Sequence, residues 1–236
     1  MNPTSPPSVP ASISESDFQA LALLDSCSVA NAIERFNIQL RNEGYTGDDL
    51  ICHFPGRPPM LGYAFTLQVR SYAPPTKGRS YFEDTHWWDA FLQIPEPRIL
   101  VIQDMDRHPG TGALVGEIHV EILRGLGCIG VITNGAVRDL DRVRPLNFQM
   151  YSHALSVSHG YSHIISTGSR VQIGGLDIRT GDLLHGDCHG VIRIPKELAA
   201  RIPATAAALR QKEDDIIAFC RSDAFSVEEL RSRLNG

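Results

Sequence analysis

The chain has 236 residues, 42% of them hydrophobic and 21% charged, and carries a formal net charge of −5. That length suits one domain with a substantial core. The mild acidity and the lack of a Lys/Arg block argue against a nucleic-acid partner, and no run approaches the roughly 18–20 apolar residues of a membrane span.

In chain order, the Pro/Ser-rich residues 1–13 read as a flexible tail, with residues 14–236 as a single domain. They show no apolar leader, so no signal peptide is expected. Residues 14–27, SESDFQALALLDSC, and 28–37, SVANAIERFN, predict two short helices with Ser at their starts. Residues 62–72, GYAFTLQVRSY, alternate apolar and polar positions and predict a strand. Residues 79–94, with Trp87 and Trp88, predict a helix. Residues 98–104, RILVIQD, are a β-branched strand; residues 112–127 place Leu114, Ile118, Ile122 and Leu126 on one helical face, and Glu117, Glu121 and Arg124 on another. Gly125 and Gly127 end that helix, and residues 128–133, CIGVIT, make a second buried strand. The result is a βαβ unit with parallel strands.

Beyond residue 147 the segments 148–157, 170–178, 181–187 and 190–195 read as short strands between turns. Residues 196–220 predict a long helix kinked at Pro203, and Ser226 with Glu229 opens a final helix as a capping box. The five cysteines never fall in a C-x-x-C spacing. They read as buried or incidental thiols of a reducing, cytoplasmic protein.

Parallel strands send their following loops to one sheet edge. Residues 104–117 and 134–139 are therefore expected to be neighbours, with the intervening helix aiming its free amides into the same crevice. There Arg138 could grip a carboxylate in a fork, while Glu117 and Asp139 could hold a Mg²⁺-like ion through waters. The crevice would suit a small 2-oxo acid. Each piece also has an ordinary reading: Asp139 as the cap of the next helix, Arg138 as a surface ion pair, Glu117 as part of a solvated stripe. Their convergence on one edge is what favours a site.

Residues 113–143, ALVGEIHVEILRGLGCIGVITNGAVRDLDRV, with residues 181–195, GDLLHGDCHGVIRIP, resemble the two signatures of a known family. It comprises the class II 4-hydroxy-4-methyl-2-oxoglutarate and 4-carboxy-4-hydroxy-2-oxoadipate aldolases, together with the RraA-like regulators of RNase E activity. The resemblance runs from about Leu21 to the C-terminus. It implies an α/β, three-layer β/β/α swivelling fold, assembled as a trimer or hexamer. It further implies that Gly116, Glu117, Ile118, His119 and Arg138 bind the pyruvoyl carboxylate and that Asp139 ligates Mg²⁺ or Mn²⁺. Arg138, Glu117 and Glu213 (or neighbouring Asp214) of an adjoining subunit would complete the catalytic set. The implied reaction is cleavage of a 4-hydroxy-2-oxo acid to pyruvate, with oxaloacetate decarboxylation through the same enolate. The alternative within the family is a non-catalytic regulator that binds a ribonuclease; such members lack the metal aspartate, whereas Asp139 is present.

Residues 72–111 depart from the family pattern, and Trp87, Trp88, Asp106 and His108 carry no implied role. The tryptophans are expected in subunit packing, or else in reshaping the distal substrate pocket. His185, Asp187 and His189 fit no zinc spacing and are expected in a turn with satisfied histidines. His153, His159 and His163 have no assigned part.

Overall fold

Every apolar side chain of strand β3 (Arg98–Asp104) is buried, and successive residues enter different cores. Ile99 and Val101 join one hydrophobic cluster, whereas Leu100 and Ile102 join the other. A strand covered on both faces must lie inside a layered structure, which is why this segment reads as a continuous apolar run rather than as an alternation. The computed structural model describes residues 13–47, 49–76 and 84–235. Among these, β3 lies between β2 (Met60–Arg70) and β5 (Cys128–Val137), parallel to both. Beyond β5 comes β6 (Gln149–Leu155), also parallel, and then β1 (Ile51–Cys52), antiparallel. On the other side β2 meets β10 (Leu183–Asp187), which forms a hairpin with β11 (Gly190–Ile194). Two short strands sit off this path: β4 (Ala113–Val115) pairs with β5, and β7 (His163–Thr167) pairs with β2.

One face of the sheet is covered by helices. α1 (Glu15–Ala22), α2 (Ser26–Glu34), α3 (Trp88–Leu92), α4 (Glu117–Gly125), α5 (Leu140–Val143) and α6 (Ile202–Cys220) each place a buried apolar residue in the same cluster. The other face is covered by a two-stranded hairpin, β8 (Val171–Ile173) and β9 (Leu176–Ile178), turning at Gly174 and Gly175 with φ of 53° and 82°. Val171, Ile173, Leu176 and Ile178 pack from it against the sheet. Hairpin, sheet and helices are the three β/β/α layers that the family resemblance implies. A last helix, α7 (Val227–Asn235), is capped by Ser226, whose Oγ accepts the Glu229 amide at 3.2 Å. Among the described residues no helix is long and apolar enough to cross a membrane.

Several local expectations change. Residues 1–12 lie outside the described residues, and Ile13, assigned to the tail, packs against the helical-side core. α2 is capped by Asp25 rather than by a serine. β2 is buried on both faces instead of alternating. Of the helix expected over 79–94, residues 79–83 lie outside the description and the rest yields only five helical residues. The helix expected over 112–127 begins five residues late, because residues 113–115 form β4. Its buried contacts are Val120 and Leu123; Ile118 is 61% exposed. Pro203 starts α6 rather than kinking it, since a residue in the first helical turn has no amide partner to lose. Of the five cysteines only Cys128 is buried, and none is bonded to another.

Trp87 belongs to the chain's own core and not to a subunit interface or a ligand pocket. Trp87 is 4% exposed and sits inside the chain's own core, against Phe65 at 6.0 Å and Phe91 at 5.6 Å between ring centroids. Trp88 packs edge-on to it. Asp106 is structural: its Oδ2 accepts the amides of Ser71 and Tyr72 at 2.7 and 2.8 Å and ties the loop after β3 to the end of β2.

Candidate active site at the junction of β4, β5 and α4

β4 and the end of β5 run side by side, with Ala113 opposite Ala136 and Val115 opposite Val137. Each chain then leaves the sheet, one through Gly116 into α4 and the other through Arg138 and Asp139 into α5. The Arg138 amide donates to the Val115 carbonyl at 3.0 Å, which prolongs the pairing and fixes the two exits against each other. Residues 134–137 belong to β5 and are not the loop that the sequence suggested. The strand's extra length is what carries Arg138 to the mouth of α4.

Asp139 adopts the left-handed conformation, φ 59° and ψ 33°. This region disfavours side chains by about 1–2 kcal/mol, Asp and Asn least. The expected capping role divides. Its backbone carbonyl accepts the Arg142 and Val143 amides at 2.9 and 3.0 Å, opening α5. Its carboxylate does not cap that helix. Instead Oδ2 accepts the Glu117 amide at 3.0 Å and Arg138 Nε at 3.2 Å, so the side chain sits at the positive end of α4.

Gly116 makes this approach possible. A β-carbon there would overlap Asp139 Oδ2 and come within 2.9 Å of Arg138 Cγ. Gly116→Ala is therefore expected to lower any catalytic activity of the site by at least about tenfold. The same change should cost about 1–3 kcal/mol of stability through overpacking, checked by kcat/KM and by urea denaturation. Unchanged kinetics in the alanine variant would show that the close contact does not matter to the site.

The cleft between these elements encloses about 250 Å³, and Gly116 to His119, Arg138 and Asp139 all line it. Six of the seven residues singled out in the sequence thus meet. Arg142 and His159 line it too and were not foreseen as site residues. Arg142 stands four residues past Arg138, a spacing that could have been noticed; His159 arrives from the connection between β6 and β7, which nothing local signals. Glu213 and Asp214 lie on α6, outside the cleft, at 3.8 and 2.7 Å from Arg210.

Burial holds the His119 pKa down to about 4, helped by the charges of Arg138 and His159. Its imidazole is thus neutral at physiological pH. Because an unfolded chain takes up this proton near the ordinary value of 6.5 and the folded one only near 4, folding stability should decline as pH falls from 6.5 toward 4. Urea midpoints across that interval are expected to fall, and to fall less in a His119→Gln variant.

The donor set suits a hard cation. The Asp139 carboxylate stands at a helix N-terminus and beside a guanidinium, and among the described residues only its Oδ2 accepts a hydrogen bond. Glu117, the first helical residue and another lining residue of the cleft, adds an exposed carboxylate. One or two carboxylates with the remaining positions left to water is how Mg²⁺ is usually bound.

Residues 26–193 match the family model RraA-like: Aldolase/RraA. A protein of Halalkalibacterium halodurans, named as a candidate 4-hydroxy-4-methyl-2-oxoglutarate aldolase, is 32% identical over 125 residues, covering 52% of this chain and 58% of its own. A solved structure from Pseudomonas syringae superposes with a TM-score of 0.69 at 24% identity, covering 94% of this chain and 99% of that one. RraAS2 of Streptomyces coelicolor, described as an unusual member of the RNase ES inhibitor RraA protein family, superposes at 0.67 with 21% identity, over 86% and 96% of the two chains. At these identities the two structures show the fold alone. The matches with curated relatives span between 25% and 58% of those relatives' lengths.

Proposed function

This chain belongs to the RraA-like family, Aldolase/RraA, and on that premise we propose that it is a divalent-metal-dependent aldolase. Its substrate would be a 4-hydroxy-2-oxo acid of the 4-hydroxy-4-methyl-2-oxoglutarate or 4-carboxy-4-hydroxy-2-oxoadipate type, with oxaloacetate decarboxylation as a side activity. The observation that carries this reading is the turn of Asp139 away from its own helix, into a cleft where Arg138 and the N-terminus of α4 converge.

The substrate carboxylate binds Arg138 and the first-turn amides of α4, a cationic group and a positive helix end acting together. That contact fixes the 2-oxo group beside Asp139. Asp139 and Glu117 would hold Mg²⁺ or Mn²⁺, which when bound polarises the 2-oxo oxygen and stabilises negative charge there. Loss of the 4-hydroxyl proton to water forms the new carbonyl as the bond between C3 and C4 breaks, and the electron pair moves toward C2. Water then protonates C3 to give pyruvate. Neutral His119 adds no competing positive charge near the reacting carbons.

Glu213, or Asp214, of a neighbouring subunit would complete the metal surroundings in a homotrimer or hexamer. The exposed apolar side chains of Ile118, Leu155, Val157 and Tyr161 support assembly of copies, since isolated monomers seldom leave so many uncovered. Five unbonded thiols support a reducing, cytoplasmic setting.

The test is pyruvate release from 4-hydroxy-4-methyl-2-oxoglutarate and from oxaloacetate, with Mg²⁺, with Mn²⁺ and with EDTA. Turnover that EDTA abolishes and either metal restores is expected. A folded chain releasing no pyruvate under any of these conditions would refute the aldolase reading and favour the protein-binding role known among family members.

A further inference from the structure

The tight turn joining β10 to β11 brings together three unlike donors from three consecutive residues. Asp187 Oδ1 lies 3.1 Å from His189 Nδ1, and Cys188 Sγ lies 3.5 Å from the same nitrogen. All three donor atoms fall within 4.8 Å of one another. Tetrahedral zinc, with bonds of about 2.0–2.1 Å to N and O and 2.3 Å to S, separates its ligands by about 3.3 Å for N and O and about 3.6 Å for N and S. The spacings already present are therefore close to those of a chelate.

The turn is held in shape by contacts that do not use up these donors. Asp187 Oδ2 accepts the Ser26 amide at 2.8 Å, and Oδ1 accepts the His189 amide at 2.8 Å. Tyr151 donates to the Asp187 carbonyl at 3.1 Å. Gly190 closes the turn at φ 129°, where a β-carbon would meet Thr46 Oγ1 at 2.9 Å. The Asp187 side chain is 8% exposed, while that of His189 is 59% exposed and Cys188 faces solvent, so an ion could enter. His185, by contrast, is spent: its Nδ1 meets Ser26 Oγ at 3.0 Å and its Nε2 meets the Leu24 carbonyl at 2.9 Å, as expected of a satisfied histidine.

We propose that Asp187, Cys188 and His189 form a metal site for a borderline-soft divalent cation of the zinc class, bound by one carboxylate oxygen, one thiolate and one imidazole nitrogen. A thiolate and an imidazole select such an ion over Mg²⁺. The fourth coordination place faces solvent. On binding, the Cys188 thiol would release its proton to water and His189 would bind through Nδ1 with its ring proton carried on Nε2.

This site is separate from the proposed catalytic cleft and does not depend on the aldolase reading. β10 runs antiparallel to β2 with Gly186 opposite Met60, so Asp187 lies at the amino-terminal edge of the parallel strands. Arg138 and Asp139 follow the carboxyl end of β5, at the opposite edge.

The test is titration of tag-free, full-length protein with Co²⁺ as a spectroscopic probe. One equivalent should produce visible tetrahedral d–d bands and a near-ultraviolet thiolate-to-cobalt band, and one equivalent of Zn²⁺ should displace both. Cys188→Ser should lose the thiolate band, and His189→Ala should lose stoichiometric binding. Asp139→Asn should keep the thiolate-to-cobalt band, since that thiolate lies at the opposite edge of the sheet. Both turn positions are solvent-facing, so the variants are expected to keep the native circular dichroism. The absence of a thiolate band from the unaltered protein, or its survival in Cys188→Ser, would overturn the proposal.

Discussion

Asp139→Asn should lower metal-dependent pyruvate release by on the order of a thousandfold, equivalent to about 4 kcal/mol of barrier, and abolish its response to metal. The substitution changes little else. Asparagine tolerates the left-handed backbone at φ 59°, and its amide oxygen can still accept the Glu117 amide that Asp139 Oδ2 accepts at 3.0 Å. The ion pair with Arg138 is lost, but both side chains are about a third exposed, so it contributes less than about 1 kcal/mol of stability. Asp139→Ala should be equally inactive and less stable, since alanine supplies neither the cap for α4 nor tolerance of that backbone. Comparing melting temperatures with metal-dependent rates separates the two contributions. Wild-type kinetics in Asp139→Asn would remove Asp139 from the reaction.

Arg138→Ala should act on binding. Removing a guanidinium from a charge-assisted carboxylate contact costs about 2–5 kcal/mol. With a side chain 36% exposed, the lower half of that range applies, or roughly 30- to 400-fold in kcat/KM. The effect should appear chiefly in KM, because the carboxylate contact exists in both the ground state and the transition state. Arg138→Lys should recover only part of it, since an ammonium cannot reproduce the fork. It should also lose the Nε contact to Asp139 at 3.2 Å. A loss confined to kcat would place Arg138 at the reacting bond and not at the carboxylate.

The sequence carried the elements best where burial was simplest. Strand β3 occupies the predicted residues, because a strand buried on both faces needs a continuous apolar run and this one is bounded by polar ends. The convergence of Gly116–His119 with Arg138 and Asp139 was also legible, since parallel connectivity alone sends both chain exits to one edge. The means of convergence was not. Ala113, Leu114 and Val115 suit a helix as well as a strand, and only pairing with the end of β5 decides between them. Ile118 and Leu126 fit the periodic face of a helix, but the helix turns Val120 and Leu123 inward, and Ile118 is left beside the cleft.

Trp87 illustrates a different limit. Two adjacent tryptophans suggest an interface or a ligand wall, yet Phe65 on β2 and Phe91 on α3 receive Trp87 in the interior. Phe91 lies only four residues from Trp87, but the contact that places the pair in the interior is with Phe65, 22 positions away on another element, and a local pattern contains no trace of it.

What the sequence by itself determined is therefore the parallel βαβ frame and the list of polar residues bound for one sheet edge, the β/β/α layering being implied only by the family resemblance. These follow from periodicity and from connectivity, both local properties. Only the tertiary structure decided what each carboxylate does. Asp139 opens α5 with its carbonyl and reaches α4 with its carboxylate, because Gly116 leaves room for it. Asp187 meets His189 because Ser26, Tyr151 and Gly190 bend the turn around it. The direction of a side chain depends on which neighbour can satisfy it, and that neighbour is chosen by packing rather than by position in the chain.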